Sequence, residues 1–475
     1  MLMEKRNKIF YTLAVVIMIA GLASCKVSKD YRQPTLELPD HYRGTAYGDT
    51  AGIADIEWKY FFTDTTLKKL IQKGIDHNSD LQTALRNIEI ASAQVRYAKQ
   101  LLLPVVALQA TGQYNHPSKN SLNGLSTGSF LGSDHIEDYT MAANVSWEAD
   151  IWGKINRRKE AALAQYLQTL EAKKAVQTRL VADIAKGFFN LLMLDKQLQV
   201  IKLNLSLSDS TVYLTKLLKG AGEATELSVQ QTAAQRESVA LLVPQLEEDI
   251  ALQENALQWL TGQYPDSIQR AVQLLDISIT THLSTGIPAA LVSRRPDVRA
   301  AEMDVMNANA RLGIAQASLY PSFTIAASGG IQALKASNWF NVPGSLFGIV
   351  TGGITAPVFA RKELKTNYEI AKIQREQSVI QFRQAVLDAA REVSDDLIQS
   401  EKLQQRETIA QNQVAILQQA VQHAKLLYKS DMANYLEVIT AQSSALQAEL
   451  NWVAVRGKEL IAAVDLYRSL GGGWK

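Results

Sequence analysis

Apolar and polar positions alternate with a period of two in four stretches of the chain and recur with a helical period through most of the remainder. In one stretch Tyr139, Met141, Ala143, Val145, Trp147, Ala149 and Ile151 alternate with Thr140, Asn144, Ser146, Glu148 and Asp150. That pattern predicts a strand with one apolar and one polar face. Upstream, past Pro104, Val106, Leu108, Ala110 and Tyr114 share one face and Gln109, Thr111 and Gln113 the other. Past Pro321, Phe323, Ile325 and Ala327 oppose Ser322, Thr324 and Ser328, and a Gly-rich, less regular segment runs from Phe347 to Phe359. Four strands in two hairpins are predicted, with loops rich in Ser, Gly and Asn over His116–Asp138 and Leu334–Leu346.

Each hairpin is preceded by a helical segment and followed by a very long one. Trp152 to about Leu218 and Leu364 to about Ser430 carry almost no Gly or Pro, and each would extend about 100 Å at a rise of about 1.5 Å per residue. In the second, Val379, Val386 and Val393 fall at heptad spacing, with Phe382 and Ala389 at the accompanying d-like position, a coiled-coil pattern. Both long helices then turn and return, as Glu223 to Leu260 and Ala433 to Leu470.

This order of elements occurs twice. A shift of 217 positions sets Asp80 over Asp297, Ala91 over Ala308, Pro104 over Pro321 and Gly112 over Gly329. A shift of 209 sets Ala224 over Ala433, Leu227 over Leu436 and Gly262 over Gly471. Internal duplication follows. The predicted division is 1–24 signal peptide, 25–58 lipidated extension, 59–262 first repeat, 263–288 linker, 289–471 second repeat and 472–475 tail.

Strands of about ten to twelve residues suit a tilted crossing of a bilayer, apolar side chains outward and polar ones toward a lumen. Four strands cannot close on themselves, and open edges in hydrocarbon leave backbone groups unsatisfied, so partner chains are required. The long Ala-rich helices also need lateral partners to bury their apolar stripes. Periodicity alone leaves open a soluble hairpin on a core, or a structural rod.

Composition narrows the class. Lys plus Arg number 49 against 47 Asp plus Glu, which lacks the excess positive charge of a polyanion binder. Lys5, Arg6 and Lys8 precede a short apolar run, Ile9–Leu22, and Leu22-Ala23-Ser24-Cys25 follows. This resembles a bacterial lipobox, in which Cys25 becomes the first mature residue and carries acyl chains. Cys25 is the only cysteine, so no intramolecular disulfide is possible. Beyond this segment no apolar run is long enough for a membrane helix.

No catalytic, cofactor or metal site is predicted. The six histidines are scattered without metal-ligand spacing, Asp395-Asp396 reads as a solvated helix face, and the Gly pairs are not phosphate loops. Gly471-Gly472-Gly473 reads as a helix stop.

Several strings resemble the lipoprotein branch of the TolC-like outer-membrane efflux factors over nearly the whole mature chain. They are Trp58-Lys59-Tyr60-Phe61-Phe62-Thr63-Asp64, Asn78-Ser79-Asp80-Leu81, Gly286-Ile287-Pro288, Tyr320-Pro321-Ser322, Pro357-Val358-Phe359 and Tyr435-Leu436-Glu437-Val438. The most specific is Arg294-Arg295-Pro296-Asp297-Val298-Arg299-Ala300-Ala301-Glu302. The resemblance implies an α+β membrane protein: a homotrimer with a twelve-stranded outer-membrane β-barrel, four strands per chain, continued by a periplasmic α-helical barrel. It also implies a periplasmic adaptor and an inner-membrane pump, most often a proton-driven resistance-nodulation-division transporter, with the duct passively conducting small molecules. Its periplasmic hairpin tips would contact the adaptor through Gly220, Gly222, Ala224, Leu227, Ala433 and Leu436. Glu437, Thr440 and Asp431 would form the entrance gate, Asp431 departing from the glycine usual at its position. Export of a protein or peptide through the same architecture is the alternative, followed by a lipid-anchored coiled-coil scaffold.

Overall fold

The computed structural model describes residues 27–35, 39, 53–277, 293–359, 361–430 and 432–475. Cys25, Asp431 and the Gly286-Ile287-Pro288 string lie outside them, as do the signal peptide and much of the proposed linker.

The alternating stretches are strands: β1 (Val105–Asn115), β2 (Ile136–Ala149), β3 (Ser322–Ala333) and β4 (Leu346–Thr355). The two hairpins join through an antiparallel β2–β3 ladder, giving a single sheet in the order β1-β2-β3-β4. Two boundaries differ from expectation. β2 stops before Ile151, where Asp150 accepts hydrogen bonds from the backbone N–H groups of Ile155 and Asn156 and starts the next helix. β4 stops at Thr355, short of Pro357, which lacks the N–H a ladder needs.

Helices account for most other described residues: α1 (Thr65–His77), α2 (Ser79–Gln100), α3 (Leu122–Leu131), α4 (Lys154–Gly220), α5 (Glu226–Leu260), α6 (Pro296–Ala317), α7 (Glu363–Lys429) and α8 (Tyr435–Ser469). Corresponding helices of the two halves match in length: 22 residues for α2 and α6, 67 for α4 and α7, 35 for α5 and α8. The long returns begin slightly later than expected, after Thr225 and Asn434, whose side chains cap α5 and α8. α3 corrects the loop expected over His116–Asp138. Ser121 caps its first turn and Gly132, at φ 62°, ends it, so residues that read as loop by composition serve as its stops.

Two compact units result. One comprises 1–34, 89–167 and 303–380 and holds the sheet; the other comprises 35–88, 168–302 and 381–475. In the second unit, Ile201, Val239 and Leu446 form a core joining α4, α5 and α8, and Leu403 packs with Val455 and Ala462. The Trp58–Asp64 string is an aromatic plug. Trp58 and Phe62 are buried, Phe61 stacks on Tyr467 with centroids 4.0 Å apart, and Asp64 caps α1 through Leu67 N at 2.7 Å. α8 ends as expected at the glycines, with Gly471 N bonded to Arg468 O and Gly472 N to Tyr467 O.

The Arg294–Glu302 string forms an electrostatic joint around the buried Arg295 in the same unit. Arg295 forks onto Asp297 (3.0 and 2.6 Å) and donates to Glu392 Oε2 (2.6 Å) and the Ser469 carbonyl (2.9 Å). It thus ties the start of α6 to the middle of α7 and the end of α8. Burial pushes the Asp297 and Glu392 carboxyls up, but Arg295 outweighs it and holds both below the ordinary range. Arg294 pairs with the half-exposed Asp55 at 2.8 Å.

The heptad of α7 is buried at Phe382, Val386, Ala389 and Val393. Its next d position is Asp396, so the expectation of a solvated Asp395-Asp396 face holds only for Asp395, which pairs with Arg391 at 2.9 Å. Asp396 is 8% exposed and its Oδ2 has no partner. Burial, with help from Asp465 and Glu392, pushes its carboxyl up to about 6, against the opposing Ser469 hydroxyl and Arg468.

Arg295→Ala removes a buried guanidinium from the half-exposed Asp297 and the partly buried Glu392, and is expected to cost about 1.5–3 kcal/mol. Arg294→Ala, at a more exposed pair, should cost about 0–1 kcal/mol; denaturation of the detergent-purified protein compares them. Asp396 has a raised folded-state pKa, so its ionisation destabilises the fold as pH rises from about 4 to about 6 and stays costly above. Asp396→Asn should therefore gain up to about 3 kcal/mol at pH 7.5 and little at pH 4, read as a melting-temperature difference that grows with pH.

Candidate functional site

Cross-strand pairing turns the alternation of single strands into two continuous faces. Val106 pairs with Val145, Val145 with Ala327 and Ala327 with Val350; Ala110 pairs with Met141, Met141 with Ile331 and Ile331 with Leu346. This face is apolar from edge to edge yet open, with Leu108 81% and Val350 79% exposed. The other face carries Gln109, Thr111, Gln113, Thr140, Asn144, Thr324, Ser328, Gln332 and Thr351, with Asn144 bonded to Gln109 at 3.1 Å and Gln332 to Asp138 at 3.0 Å. Gly330 permits the tight β2–β3 approach: a Cβ there would lie 2.0 Å from the Met141 carbonyl oxygen. The charged residues of the strands are Glu137, Asp138 and Glu148, all acidic and all on β2.

Aromatic residues gather at both ends of the sheet. At the end where strands meet long helices, Trp147 donates to Leu102 O (2.9 Å), Trp152 to Pro321 O (2.7 Å), and the Trp152 ring packs at a tilt against Tyr320. At the other, Tyr139, Trp339 and Phe340 form a chain of contacts and Tyr114 stacks on His135. An apolar band between aromatic girdles is the surface that spans a bilayer as β-structure. No described helix is long and apolar enough to cross a membrane. β1 and β4 are the edges, each with its outer side unpaired among the described residues.

The hairpin tips lie in the other unit. Gly220 ends α4, Gly222 adopts φ 85°, and Glu223 N closes back on Leu218 O at 2.9 Å, a left-handed helix stop that suits glycine. Across Asp431 the counterpart bond is present, Met432 N to Leu427 O at 2.9 Å. Thr225 and Ser228 form a capping box on α5, and Asn434 accepts from Leu436 N and Glu437 N on α8. The Tyr435 hydroxyl donates to Gln231, stitching the second return helix to the first. Of the predicted tip residues, Leu227 and Leu436 are exposed and Ala224 and Ala433 half-buried. Glu437 and Thr440 are exposed one turn apart on α8, where Thr440 donates to Leu436 O at 2.8 Å.

His116 and His135 meet Asp134 at 3.8 and 2.9 Å beyond the β1–β2 strand ends. Among the described residues no group of three or more His, Cys, Asp or Glu is arranged to hold a metal ion. Sequence reasoning missed Arg157, which reads as part of an Arg157-Arg158-Lys159 charge run but is 5% exposed.

The sequence profile of outer membrane efflux proteins matches residues 70–263 and again 287–472. The chain belongs to that family. It is similar to the cation efflux system protein CusC of Escherichia coli O6:H1, 28% identical over 464 residues and covering 96% of this chain and 97% of that one. It is equally similar to the toluene efflux pump outer membrane protein TtgF of Pseudomonas putida, 28% identical over 476 residues, with 97% and 96% coverage. Among solved structures, the outer-membrane channel OprN superposes with a TM-score of 0.87 at 25% identity, covering 95% of this chain and 100% of that one. This efflux protein is accordingly an outer-membrane exit duct, and its sheet is the membrane-facing part.

An arginine on the apolar face near the middle of the bilayer costs about 2–4 kcal/mol. Leu108→Arg should therefore abolish the heat-modifiable oligomer in outer-membrane fractions on gels, whereas Gln109→Arg, on the opposite face, should leave it intact.

Proposed function

We propose that three copies of this efflux protein close their sheets into a twelve-stranded barrel, polar face inward, and continue it as a ring of α4, α5, α7 and α8 through the periplasm. The observation that carries this reading is the open sheet: two unpaired edges beside an apolar face demand further strands. Cys25 is acylated and anchors each chain to the outer membrane. The duct has no catalytic role and takes small molecules from a periplasmic adaptor and an inner-membrane transporter, which supply the energy.

The adaptor docks on the hairpin tips, around Gly220, Gly222, Ala224 and Leu227 in one half and Ala433 and Leu436 in the other. Glu437 and Thr440, exposed on the first turns of α8, narrow the entrance with Asp431. Cargo is sorted upstream of the duct. In support, two relatives equal in identity to this chain carry names that specify cation efflux and toluene efflux, so an overall resemblance at this level does not choose between such cargoes.

Single-channel recording of the purified oligomer in planar bilayers tests both the duct and its gate. Small, cation-favouring currents are expected for the wild type, growing severalfold in Glu437→Ala. Currents that ignore the substitution would move the gate elsewhere; a well-formed oligomer without currents would favour the scaffold reading.

A further inference from the structure

The segment that follows Cys25 is held in a built socket. Arg157, one turn into α4, donates from Nε to Ser28 Oγ (2.7 Å) and from Nη2 to the Ser28 carbonyl (2.9 Å) and Asp30 Oδ1 (2.8 Å). Its Nη1 donates to Glu160 Oε2, at 2.5 Å, on the same helix. α6 supplies the other wall. Buried Asn309 donates to the Lys29 carbonyl at 3.4 Å and accepts from Arg375 of α7 at 3.1 Å, while Asn307 ties α6 to the Ala161 carbonyl of α4 at 2.8 Å. Gly313, one turn beyond Asn309, leaves the room: a Cβ there would lie 2.9 Å from both Arg157 Cδ and Ser28 Oγ. A planar guanidinium is thus satisfied by a hydroxyl, a carbonyl and two carboxylates, a fork geometry that lysine cannot reproduce.

We propose that Arg157 is a positioning residue that docks the segment behind the acylated cysteine and so fixes where each lipid anchor enters the bilayer. Ser28 lies three positions beyond Cys25, a span of at most about 11 Å when extended. Arg157 itself lies only eight positions beyond Ala149, the last residue of β2. The anchor is therefore confined near the rim where β2 gives way to α4. This rests on the reading that Cys25 is acylated.

A nitroxide attached through Lys29→Cys reports the socket directly, because Lys29 is exposed and contributes only its carbonyl. In the acylated protein Cys25 has no free thiol, and in a Cys25→Ser background the label site is the only thiol. The label is expected to be immobile with Arg157 and to show a severalfold larger mobile component in Arg157→Ala. The pair Ser28→Ala with Asp30→Ala, which alters no helix residue, should release it partially even if Arg157→Ala fails to fold. A label equally mobile with and without these changes overturns the socket. In pulse-labelled cells, Arg157→Ala should slow formation of the heat-modifiable oligomer severalfold in the acylatable chain and leave it unchanged in Cys25→Ser. Equal slowing in both backgrounds overturns the positioning role. Mass spectrometry of the mature N-terminal peptide separates the two readings: an unacylated Cys25 removes the lipid claim, while the nitroxide still decides the socket.

Discussion

The unpaired outer sides of β1 and β4 govern the rest of the molecule. In hydrocarbon each unsatisfied backbone N–H or C=O costs several kcal/mol, and strands of 11 and 10 residues present several such groups along each edge. That total exceeds the roughly 5–15 kcal/mol by which a folded chain is normally stable. A sheet with an apolar face toward lipid therefore has no stable existence as a single chain in a membrane, and pairing with further copies follows from hydrogen bonding alone. Closure in turn gives the polar face of Gln109, Asn144, Ser328 and Gln332 an aqueous interior to meet.

The helices obey a softer rule. Where the α7 seam is filled by Phe382, Val386, Ala389 and Val393, packing is that of an ordinary coiled coil. At Asp396 the same seam accepts a carboxylate, and within reach are Arg468, Asp465, Glu392 and the Ser469 hydroxyl. Arg295 neutralises one side of this neighbourhood and leaves Asp396 in excess. The joint gathers α6, α7 and α8 by direct ion pairs, so specificity of assembly here comes from charge where elsewhere it comes from shape.

Much of this was readable from residues in order. The run from Tyr139 to Ala149 declared a strand with two faces, and Gly- and Pro-poor stretches declared α4 and α7. The heptad, carried one step past Val393, also lands on Asp396 and predicts its burial, against the composition-based view of a charged surface pair. Other features had no local signal. The β2–β3 ladder joins residues as far apart as Tyr139 and Ala333, 194 positions in sequence, and each hairpin looks complete without it. α3 hides in a stretch whose Ser and Gly content reads as loop. Arg157 sits among Arg158 and Lys159, and its partner Ser28 is 129 positions away, so only the fold distinguishes a buried fork from a solvated charge run. At the tips, the sequence placed Glu437 and Thr440 by resemblance, and the structure adds their exposure and the Asn434 cap beneath them.

The β2–β3 ladder also dictates an order of events in biogenesis. Its two strands belong to different halves of the chain, with α4 and α5 translated between them. When β2 emerges from the secretion machinery, the only partner available to it is β1, and a lone two-stranded hairpin is marginal in water and untenable in lipid. The second partner appears only after both α4 and α5 have been exported, and the last strand later still. Long-range pairing of this kind is slow. The β1–β2 hairpin must therefore wait in the periplasm, apolar face outward, while a little over a third of the chain is exported, and during that wait it is the segment of this protein most in need of a chaperone.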